Sequence, residues 1–326
     1  MALVSQTMSF LYYQNIDGLA PEKPNRKGSA YWNEGKWTNY IRSLLPESSE
    51  DMTLVEVGSN AGLFLKLAKD RGFRNVIGIE REKDTCERAI RHRDALGYDY
   101  EILNRAVGED FSFDEIPLAD ITLISNTHYY FKLGDWLNYL NALRVRTCYC
   151  LIVSRYVRPR RGMPVGAESD IKYYFKDWPL VDARFRVNYG RKHERPDSCP
   201  TTLQSYLFKG QLERVKIKDI RRGSKFVRIP GGRIRRKILL KQFFDLTGGL
   251  ENSLYYKSLF MRVGRRWSKE NITNYIKEKH RLAESIRKEG QKEPVLLGFD
   301  NKLIDGGHRI AAMEYLGYKS VIARKI

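Results

Sequence analysis

The chain has 326 residues, long enough for two domains, and a formal net charge of +19 from 58 Lys and Arg against 39 Asp and Glu. Its 42% of hydrophobic residues exclude a compositionally disordered chain, and no apolar run approaches the roughly 20 residues that span a bilayer. The four cysteines form no CxxC pair, and the first thirty residues lack a basic segment followed by an apolar one. We therefore expect a soluble, cytoplasmic protein with no membrane partner, no metal and no disulfide framework.

The charge is concentrated in the second half of the chain. Residues 1–150 hold 18 Lys and Arg against 21 Asp and Glu, a net charge of −3, whereas residues 151–326 hold 40 against 18, a net charge of +22. The densest basic runs lie at 155–161 and 221–241. Such an excess favours an anionic partner or substrate, either nucleic acid or a phosphorylated molecule, while a solvated surface is the alternative for each single run.

The first 50 residues are rich in aromatic side chains, with Pro21 and Pro24 between them. A segment of this kind, placed before the first strand, is a candidate lid that selects a substrate. The alternative is a helix that packs against the following sheet. The lid candidates are Lys27, Tyr31, Trp32 and Trp37.

The next segment predicts a βαβ unit. Thr53–Val57 is a short apolar run, Leu63–Asp70 has helical periodicity, and Asn75–Glu80 is a second apolar run that ends on an acid. Gly58 and Gly62, in the turn, allow the backbone to approach a ligand closely. The acid that closes the second strand can accept hydrogen bonds from ribose hydroxyls. The pattern therefore predicts a site for a small nucleotide-like cofactor.

Residues 55–62 (VEVGSNAG) and 78–80 (GIE) resemble the first motif and the second-strand acid of the class I S-adenosylmethionine (SAM)-dependent methyltransferases. The resemblance implies an α/β, Rossmann-like, seven-stranded domain with SAM as the cofactor. A flavin or nicotinamide Rossmann fold is the alternative, although the loop reads ExGxxxG and a pyrophosphate requires tighter glycine spacing. The cofactor contacts that the resemblance implies are Glu56, Gly58, Ser59, Asn60, Gly62, Glu80, Ala106 and Val107.

The order of strands and helices typical of this family continues along the chain to about residue 210. We therefore assign residues 1–210 to a methyltransferase domain with an amino-terminal lid segment. The further elements predicted are a third strand at 101–107, a fourth at 120–125, a helix at 136–143, a fifth strand at 149–154, a helix at 168–177 and a closing hairpin at 184–189 and 205–208.

The segment after the fourth strand, residues 126–131 (NTHYYF), lies where this family places groups that face the methyl acceptor. His128 is the candidate base, with Asn126 beside it, and a packing histidine is the alternative. The segment lacks both prolines of the [DN]PP[YF] motif of amino-methylating DNA enzymes, and the chain has no Pro-Cys nucleophile. DNA base methylation is therefore disfavoured, which leaves a small molecule, a saccharide or RNA as acceptor.

A second set of predicted strands and helices begins after Gly210. A Gly-Gly turn precedes a helix at residues 305–309 (DGGHR). The free backbone N–H groups of the helix start and the Arg309 guanidinium together predict a phosphate-binding site. The predicted elements are a strand and turn at 212–220, a helix at 274–289 ended by Gly290, a strand at 294–298 with a hairpin partner at 302–304, a helix at 309–316 and a strand at 320–324.

Residues 282–297 and 303–321 resemble the two characteristic segments of the ParB/sulfiredoxin-like fold. The resemblance implies a smaller α+β domain at 211–326 that binds ATP or another nucleotide. Gly307 stands where sulfiredoxins need a cysteine, which excludes their chemistry, and His308 stands where ParB proteins have an arginine, which puts CTP hydrolysis in doubt. Phosphotransfer and a recognition module without chemistry are both left open. The candidate phosphate site is Asp305, Gly306, Gly307, His308 and Arg309.

These observations leave two candidate functions, which differ in the class of molecule that is methylated. The first is SAM-dependent methylation of a small molecule or saccharide, with or without a phosphate, at oxygen, while the second domain binds or phosphorylates a phosphate-bearing group. The second is a nucleic-acid-directed methyltransferase whose basic half grips the backbone. A third alternative treats the SAM-type fold as a scaffold without activity. The sequence does not indicate the oligomeric state.

Overall fold

A computed structural model of the protein describes residues 35–107, 115–131, 133–156, 171, 174–187, 202–222, 226–229, 232–235, 244, 253–263 and 266–326. The chain divides into two compact units, Met1–Gly210 and Gln211–Ile326. Within the described ranges, no helix has the length and apolar character needed to cross a membrane.

The first unit is built on a seven-stranded sheet in the order β3-β2-β1-β4-β5-β7-β6. Strands β1 to β5 run parallel, whereas β7 is antiparallel to both β5 and β6. The order reverses between β1 and β4, which opens a crevice at the carboxyl ends of these strands. The strands are β1 (Thr53–Val57), β2 (Asn75–Glu80), β3 (Glu101–Asn104), β4 (Ala119–Ser125), β5 (Thr147–Tyr156), β6 (Leu180–Val187) and β7 (Thr202–Lys209).

Within the described residues, three α-helices accompany this sheet: α1 (Leu63–Asp70), α2 (Lys83–Leu96) and α3 (Leu133–Arg144). Successive residues of β1 contribute to opposite cores, because side chains alternate across a strand. Leu54 belongs to a core shared with α1 and the short helical turn Trp37–Ile41, and Val55 belongs to a core shared with α3. The sheet is therefore covered on both faces, which explains why every residue of β1 is buried.

The predicted βαβ unit is confirmed with the same bounds for β1, α1 and β2. The closing hairpin is confirmed as antiparallel and is longer than predicted, although residues 188 and 189 lie outside the described ranges. The third strand is shorter than predicted, since it ends at Asn104, and α3 begins three residues before the predicted helix. Half of the predicted helix at 168–177, namely residues 168–170, 172 and 173, lies outside the described residues.

The second unit contains a four-stranded sheet in the order β12-β11-β13-β8, with β11 parallel to β13 and the outer pairs antiparallel. Its core joins this sheet to two helices through residues such as Ile286, Val295 and Ile310. The elements are β8 (Glu213–Lys216), β9 (Phe226–Ile229), β10 (Gly232–Arg235), α4 (Leu254–Val263), α5 (Lys269–Glu289), β11 (Val295–Leu297), β12 (Leu303–Asp305), α6 (Gly307–Tyr315) and β13 (Ser320–Lys325).

Helix α5 begins five residues earlier than predicted. Ser268 caps it, because its side chain accepts a hydrogen bond from the Asn271 backbone N–H at 3.1 Å. The helix ends at Gly290, which adopts a φ of 75°, and this end is as predicted. Strands β9 and β10, which the sequence did not predict, pair as a separate two-stranded sheet inside the basic run at 221–241.

Candidate functional site

The glycine loop after β1 is attached to the end of β2 by its backbone. The N–H groups of Gly58 and Ser59 both donate to the Ile79 carbonyl, at 2.8 and 3.1 Å. The Asn60 N–H donates to Glu80 Oε2 at 2.9 Å. The loop therefore lies across the carboxyl ends of β1 and β2, which is the position that a cofactor-binding loop requires.

Gly58 also brings the loop against the segment that follows β4. Its φ is +74°, and a Cβ atom at this position would lie 2.5 Å from the Thr127 side chain. The Thr127 Oγ1 lies 3.1 Å from the carbonyl oxygens of both Val57 and Ser125, so its one hydroxyl hydrogen is donated to one of them or shared between the two. Only glycine fits at this point, and its lack of a Cβ atom lets the two loops approach closely.

Glu80 presents an oriented carboxylate at the end of β2. Oε2 accepts from the Asn60 N–H at 2.9 Å, and Oε1 accepts from the Glu82 N–H at 3.0 Å. The residue is 9% exposed. Since each carboxylate oxygen can accept more than one hydrogen bond, both oxygens keep a lone pair for hydroxyl donors of a ligand.

Glu56 lies on β1 beside this site and is 1% exposed. Burial raises the pKa of its carboxyl well above the usual range; the nearby Lys36 ammonium opposes this shift and Glu80 adds to it. Glu56 Oε2 has no hydrogen-bond partner among the described residues, and neither has the buried Ser59 Oγ. Buried polar atoms without partners are rare, so these two atoms indicate a place for ligand groups.

Lys36 is a site residue that the sequence did not reveal. It precedes the helical turn Trp37–Ile41 and is 7% exposed. Its Nζ donates to Ser125 Oγ at 3.4 Å and lies 5.5 Å from the centroid of the Phe64 ring. The only signal in the sequence was its position next to Trp37 in an aromatic segment.

Trp37, the one lid candidate within the described residues, is buried and stacks on Phe64 with ring centroids 5.9 Å apart. This position matches the alternative of a helix that packs on the sheet. The other lid candidates, Lys27, Tyr31 and Trp32, lie outside the described residues.

Asn126 directly follows β4 in a left-handed conformation with a φ of 54°. Its N–H donates to the Val153 carbonyl at 2.8 Å, and its buried Oδ1 has no partner among the described residues. The conformation is uncommon outside glycine and costs backbone energy, so it is typical of functional positions.

His128 lies in the following turn and is 7% exposed. Its Nε2 is 3.4 Å from Ser154 Oγ, and its ring centroid is 6.2 Å from that of Trp136. Burial lowers the pKa of the imidazole to about 4, so the ring is neutral at physiological pH. The surroundings are those of a packed histidine, and a base of this pKa would be weak.

The predicted adenine-side residues Ala106 and Val107 follow β3. The preceding Arg105 N–H donates to the Glu80 carbonyl at 3.0 Å, which holds this segment next to the carboxylate of the same residue. Val107 is partly buried against the core that contains α3. The segment therefore lies on the Glu80 side of the crevice.

The five residues of the predicted phosphate site lie together in the second unit. Gly306 caps α6 with a φ of +94°. The Arg309 guanidinium, however, donates to Asp305 Oδ2 at 2.6 Å and to the Pro294 carbonyl at 2.8 Å. His308 Nε2 is 2.7 Å from the Tyr275 hydroxyl. All three polar side chains of the loop, those of Asp305, His308 and Arg309, are thus engaged with protein groups.

No group of three or more His, Cys, Asp or Glu side chains is arranged to hold a metal ion in the part of the chain that the structure describes. The three described cysteines, Cys86, Cys148 and Cys150, are buried free thiols.

No protein-family model and no curated protein matches the chain. Solved structures resemble it at low identity. The PH0226 protein from Pyrococcus horikoshii OT3 is 11% identical, with a TM-score of 0.48 over 62% of this chain and 96% of that one. The N-methyltransferase NodS from Bradyrhizobium japonicum WM9, solved with S-adenosyl-L-homocysteine, is 15% identical, with a TM-score of 0.39 over 49% of this chain and 78% of that one.

A further similar structure is an S-adenosylmethionine-dependent methyltransferase from Clostridium acetobutylicum, 11% identical, with a TM-score of 0.37 over 55% of this chain and 97% of that one.

Proposed function

We propose that residues 1–210 form a SAM-dependent methyltransferase. The observation that carries the proposal is the constellation at the carboxyl ends of β1, β2 and β4: the glycine loop, the oriented Glu80 carboxylate, and the buried, unpartnered oxygens of Glu56 and Ser59. A ribose diol complements a fixed carboxylate, because two hydroxyl donors then meet two acceptor oxygens.

The remaining features fit the same cofactor. Gly58 leaves no room for a Cβ atom, so the loop backbone borders the crevice. The loop spacing suits a ligand without a pyrophosphate. When bound, SAM supplies a methyl group on a sulfonium sulfur for in-line transfer to an acceptor. The chain itself would bind and orient the two reactants, which accounts for a large part of the rate in such displacements.

We propose Asn126 and His128 as the groups on the acceptor side, and a hydroxyl of a small molecule or saccharide as the acceptor. The buried Asn126 Oδ1 has no hydrogen-bond partner in the described part of the chain and can accept a hydrogen bond from that hydroxyl. The His128 imidazole is neutral, so it can take up a proton but is a weak base. Transfer of labelled methyl from SAM to a panel of polyols, phenols and sugar phosphates tests this assignment; labelling of amines alone would contradict it.

A second candidate function is methylation directed at nucleic acid, and the β9–β10 hairpin favours it. In the antiparallel register Arg233 lies directly opposite Arg228, and Arg235 lies opposite Phe226. The three arginines therefore occupy positions on one face of the hairpin. A row of arginine positions along one hairpin face suits the phosphates of a nucleic-acid backbone.

Salt dependence tests this second function. Replacement of Arg228, Arg233 and Arg235 by Ala should lower the slope of log affinity against log salt for an RNA duplex by about 1 per lost phosphate contact. The matched control replaces the exposed cations of α5, Lys277, Arg281 and Lys288, by Ala. An equal loss in both variants, or no binding by the wild type at low salt, would contradict a specific role of the hairpin.

For the second unit we propose that residues 305–309 bind a nucleotide phosphate. The support is the amino terminus of α6, whose Gly306 cap contributes no side-chain hydrogen bond to the first N–H groups. Because Arg309 is held by Asp305, the loop backbone would supply most of the contacts. Thermal unfolding of the full chain with ATP and CTP tests this proposal. A rise in midpoint that Gly307→Asp abolishes would support it, and no rise would contradict it.

A further inference from the structure

An exposed aromatic pair of the second unit joins the end of α4 to α5. Trp267 is attached to α4, because its N–H donates to the carbonyl of Val263, the last residue of that helix, at 3.0 Å. It is 37% exposed, although tryptophan is highly buried on average. Its ring forms a T-shaped pair with Tyr275 on α5, with ring centroids 5.4 Å apart. We call Trp267 and Tyr275 the aromatic platform.

Tyr275 is held in place by two further contacts. Its hydroxyl is 2.7 Å from His308 Nε2 in the first turn of α6, and the rings of the two residues are also T-shaped, at 5.6 Å. The Lys279 ammonium, one turn further along α5, lies 4.9 Å from the centroid of the Tyr275 ring and pairs with Glu278 at 3.1 Å. Tyr275 is therefore a fixed support for the Trp267 indole. A ring held in one orientation loses little conformational entropy when a ligand stacks on it.

The platform lies in a strongly basic part of the chain. Residues 211–326 hold 28 Lys and Arg against 12 Asp and Glu, a net charge of +16, and residues 266–281 hold five against two. Arg266 and Lys269, on either side of Trp267 in the sequence, are both exposed. An apolar protein partner would desolvate these cations without pairing them, so the surroundings favour an anionic partner. Aromatic rings beside exposed cations are typical of surfaces that bind nucleic acid, since bases stack on the rings while phosphates meet the cations.

The form of nucleic acid follows from the geometry of stacking. A T-shaped contact uses the edge of one ring only, so the exposed Trp267 indole keeps surface for a further ring. A base can occupy that surface only when its own face is free, and within a duplex the neighbouring bases cover both faces. The platform therefore suits an unpaired base.

We propose that the aromatic platform binds single-stranded RNA, with one base stacked on the Trp267 indole. This inference rests on the second candidate function, methylation directed at nucleic acid, and makes its partner more specific. The arginine row of the β9–β10 hairpin suits any phosphate backbone, whereas the platform requires a base that is unpaired. RNA is the nucleic acid named because the segment after β4 lacks the prolines of the amino-methylating DNA enzymes.

Fluorescence anisotropy of a short labelled oligoadenylate, titrated with the full chain at several salt concentrations, tests the inference. Trp267→Ala should weaken binding by about 5- to 150-fold, the effect of one lost stack between a base and an aromatic ring. The slope of log affinity against log salt should stay the same, because the substitution removes no charge. Trp267→Phe should keep most of the affinity, since it keeps an aromatic face.

The matched control is Phe299→Ala, which removes an aromatic ring that is 82% exposed in the turn between β11 and β12. It should leave the affinity unchanged. A test on the wild type alone covers the case in which Trp267→Ala does not fold: a strand of the same length with abasic spacers in place of nucleosides should bind at least about 5-fold more weakly.

The outcomes separate the platform from the candidate function on which it rests. Unchanged affinity of Trp267→Ala, an equal loss in Phe299→Ala, or equal binding of the abasic strand would overturn the platform and leave backbone binding by the basic half intact. No binding of the oligoadenylate by the wild type at low salt would overturn the nucleic-acid-directed function and this inference with it.

Discussion

Replacement of Glu80 by Gln is the sharpest test of the proposed ribose-binding site. The change keeps the shape of the side chain but removes its charge and converts one acceptor oxygen into an NH₂ group. Two backbone N–H groups now donate to this carboxylate, from Asn60 at 2.9 Å and from Glu82 at 3.0 Å. An amide can satisfy only one of them, whichever way it is turned.

Two effects of Glu80→Gln follow from these contacts. The glycine loop loses one charge-assisted hydrogen bond, which contributes about 1.5–3 kcal/mol, so the free energy of unfolding should fall by about 2 kcal/mol. One ribose hydroxyl also loses its acceptor, so the affinity for S-adenosylhomocysteine should fall by about 10- to 100-fold. Denaturant titration and calorimetry measure the two effects separately.

The neighbouring Glu82 provides the control for this experiment. Its side chain is exposed and pairs with Arg81 at 2.8 Å, so Glu82→Gln should change neither stability nor affinity by more than about 0.5 kcal/mol. If Glu80→Gln binds S-adenosylhomocysteine as tightly as the wild type, the carboxylate does not hold the ribose and the site has been assigned wrongly.

Three further predictions concern single residues. Gly58→Ala should lower the free energy of unfolding by about 1–3 kcal/mol, because Gly58 has a positive φ and a Cβ atom there would clash with Thr127. Gly134 on α3 has open space for a Cβ atom, so Gly134→Ala should leave this free energy unchanged or raise it. Thermal unfolding measures both variants. Burial lowers the pKa of His128 from 6.5 to about 4, so the folded state disfavours its protonated form. The free energy of unfolding should therefore drop by about 2 kcal/mol from pH 7 to pH 5. His128→Phe should remove that part of the pH dependence. Arg309→Ala should lower the free energy of unfolding by about 1–2 kcal/mol, because two hydrogen bonds are lost. Arg287 is exposed, so Arg287→Ala should leave this free energy unchanged. Equal effects of the two substitutions would contradict the bridging role of Arg309.

The sequence predicted the centre of the first unit well, because several local signals agree there. The glycines at 58 and 62 must break the chain between β1 and α1, and the flanking apolar runs are continuous because both faces of a parallel sheet are covered. The end of β2 at Glu80 follows from the same pattern. Bounds of the outer elements were less exact, since helix and strand ends depend on caps and neighbours such as Ser268.

Features that depend on contacts between distant residues could not be read from the sequence. Lys36 Nζ contacts Ser125 Oγ, and Ser125 is 89 residues further along the chain. Arg309 was interpreted as a phosphate ligand, but its guanidinium reaches the Pro294 carbonyl and Asp305. The strands β9 and β10 did carry a local signal, since arginine alternates with apolar residues there, but the run was interpreted only as a basic surface.

The central claim is that the crevice between β1 and β4 binds SAM. Native mass spectrometry of the full chain with S-adenosylhomocysteine tests it directly, with Gly58→Arg as the variant that fills the space against Thr127. The account predicts a single bound molecule on the wild type and none on Gly58→Arg, with the far-ultraviolet circular dichroism of the two proteins alike. An absence of bound ligand on the wild type, or equal binding by the two proteins, would contradict it.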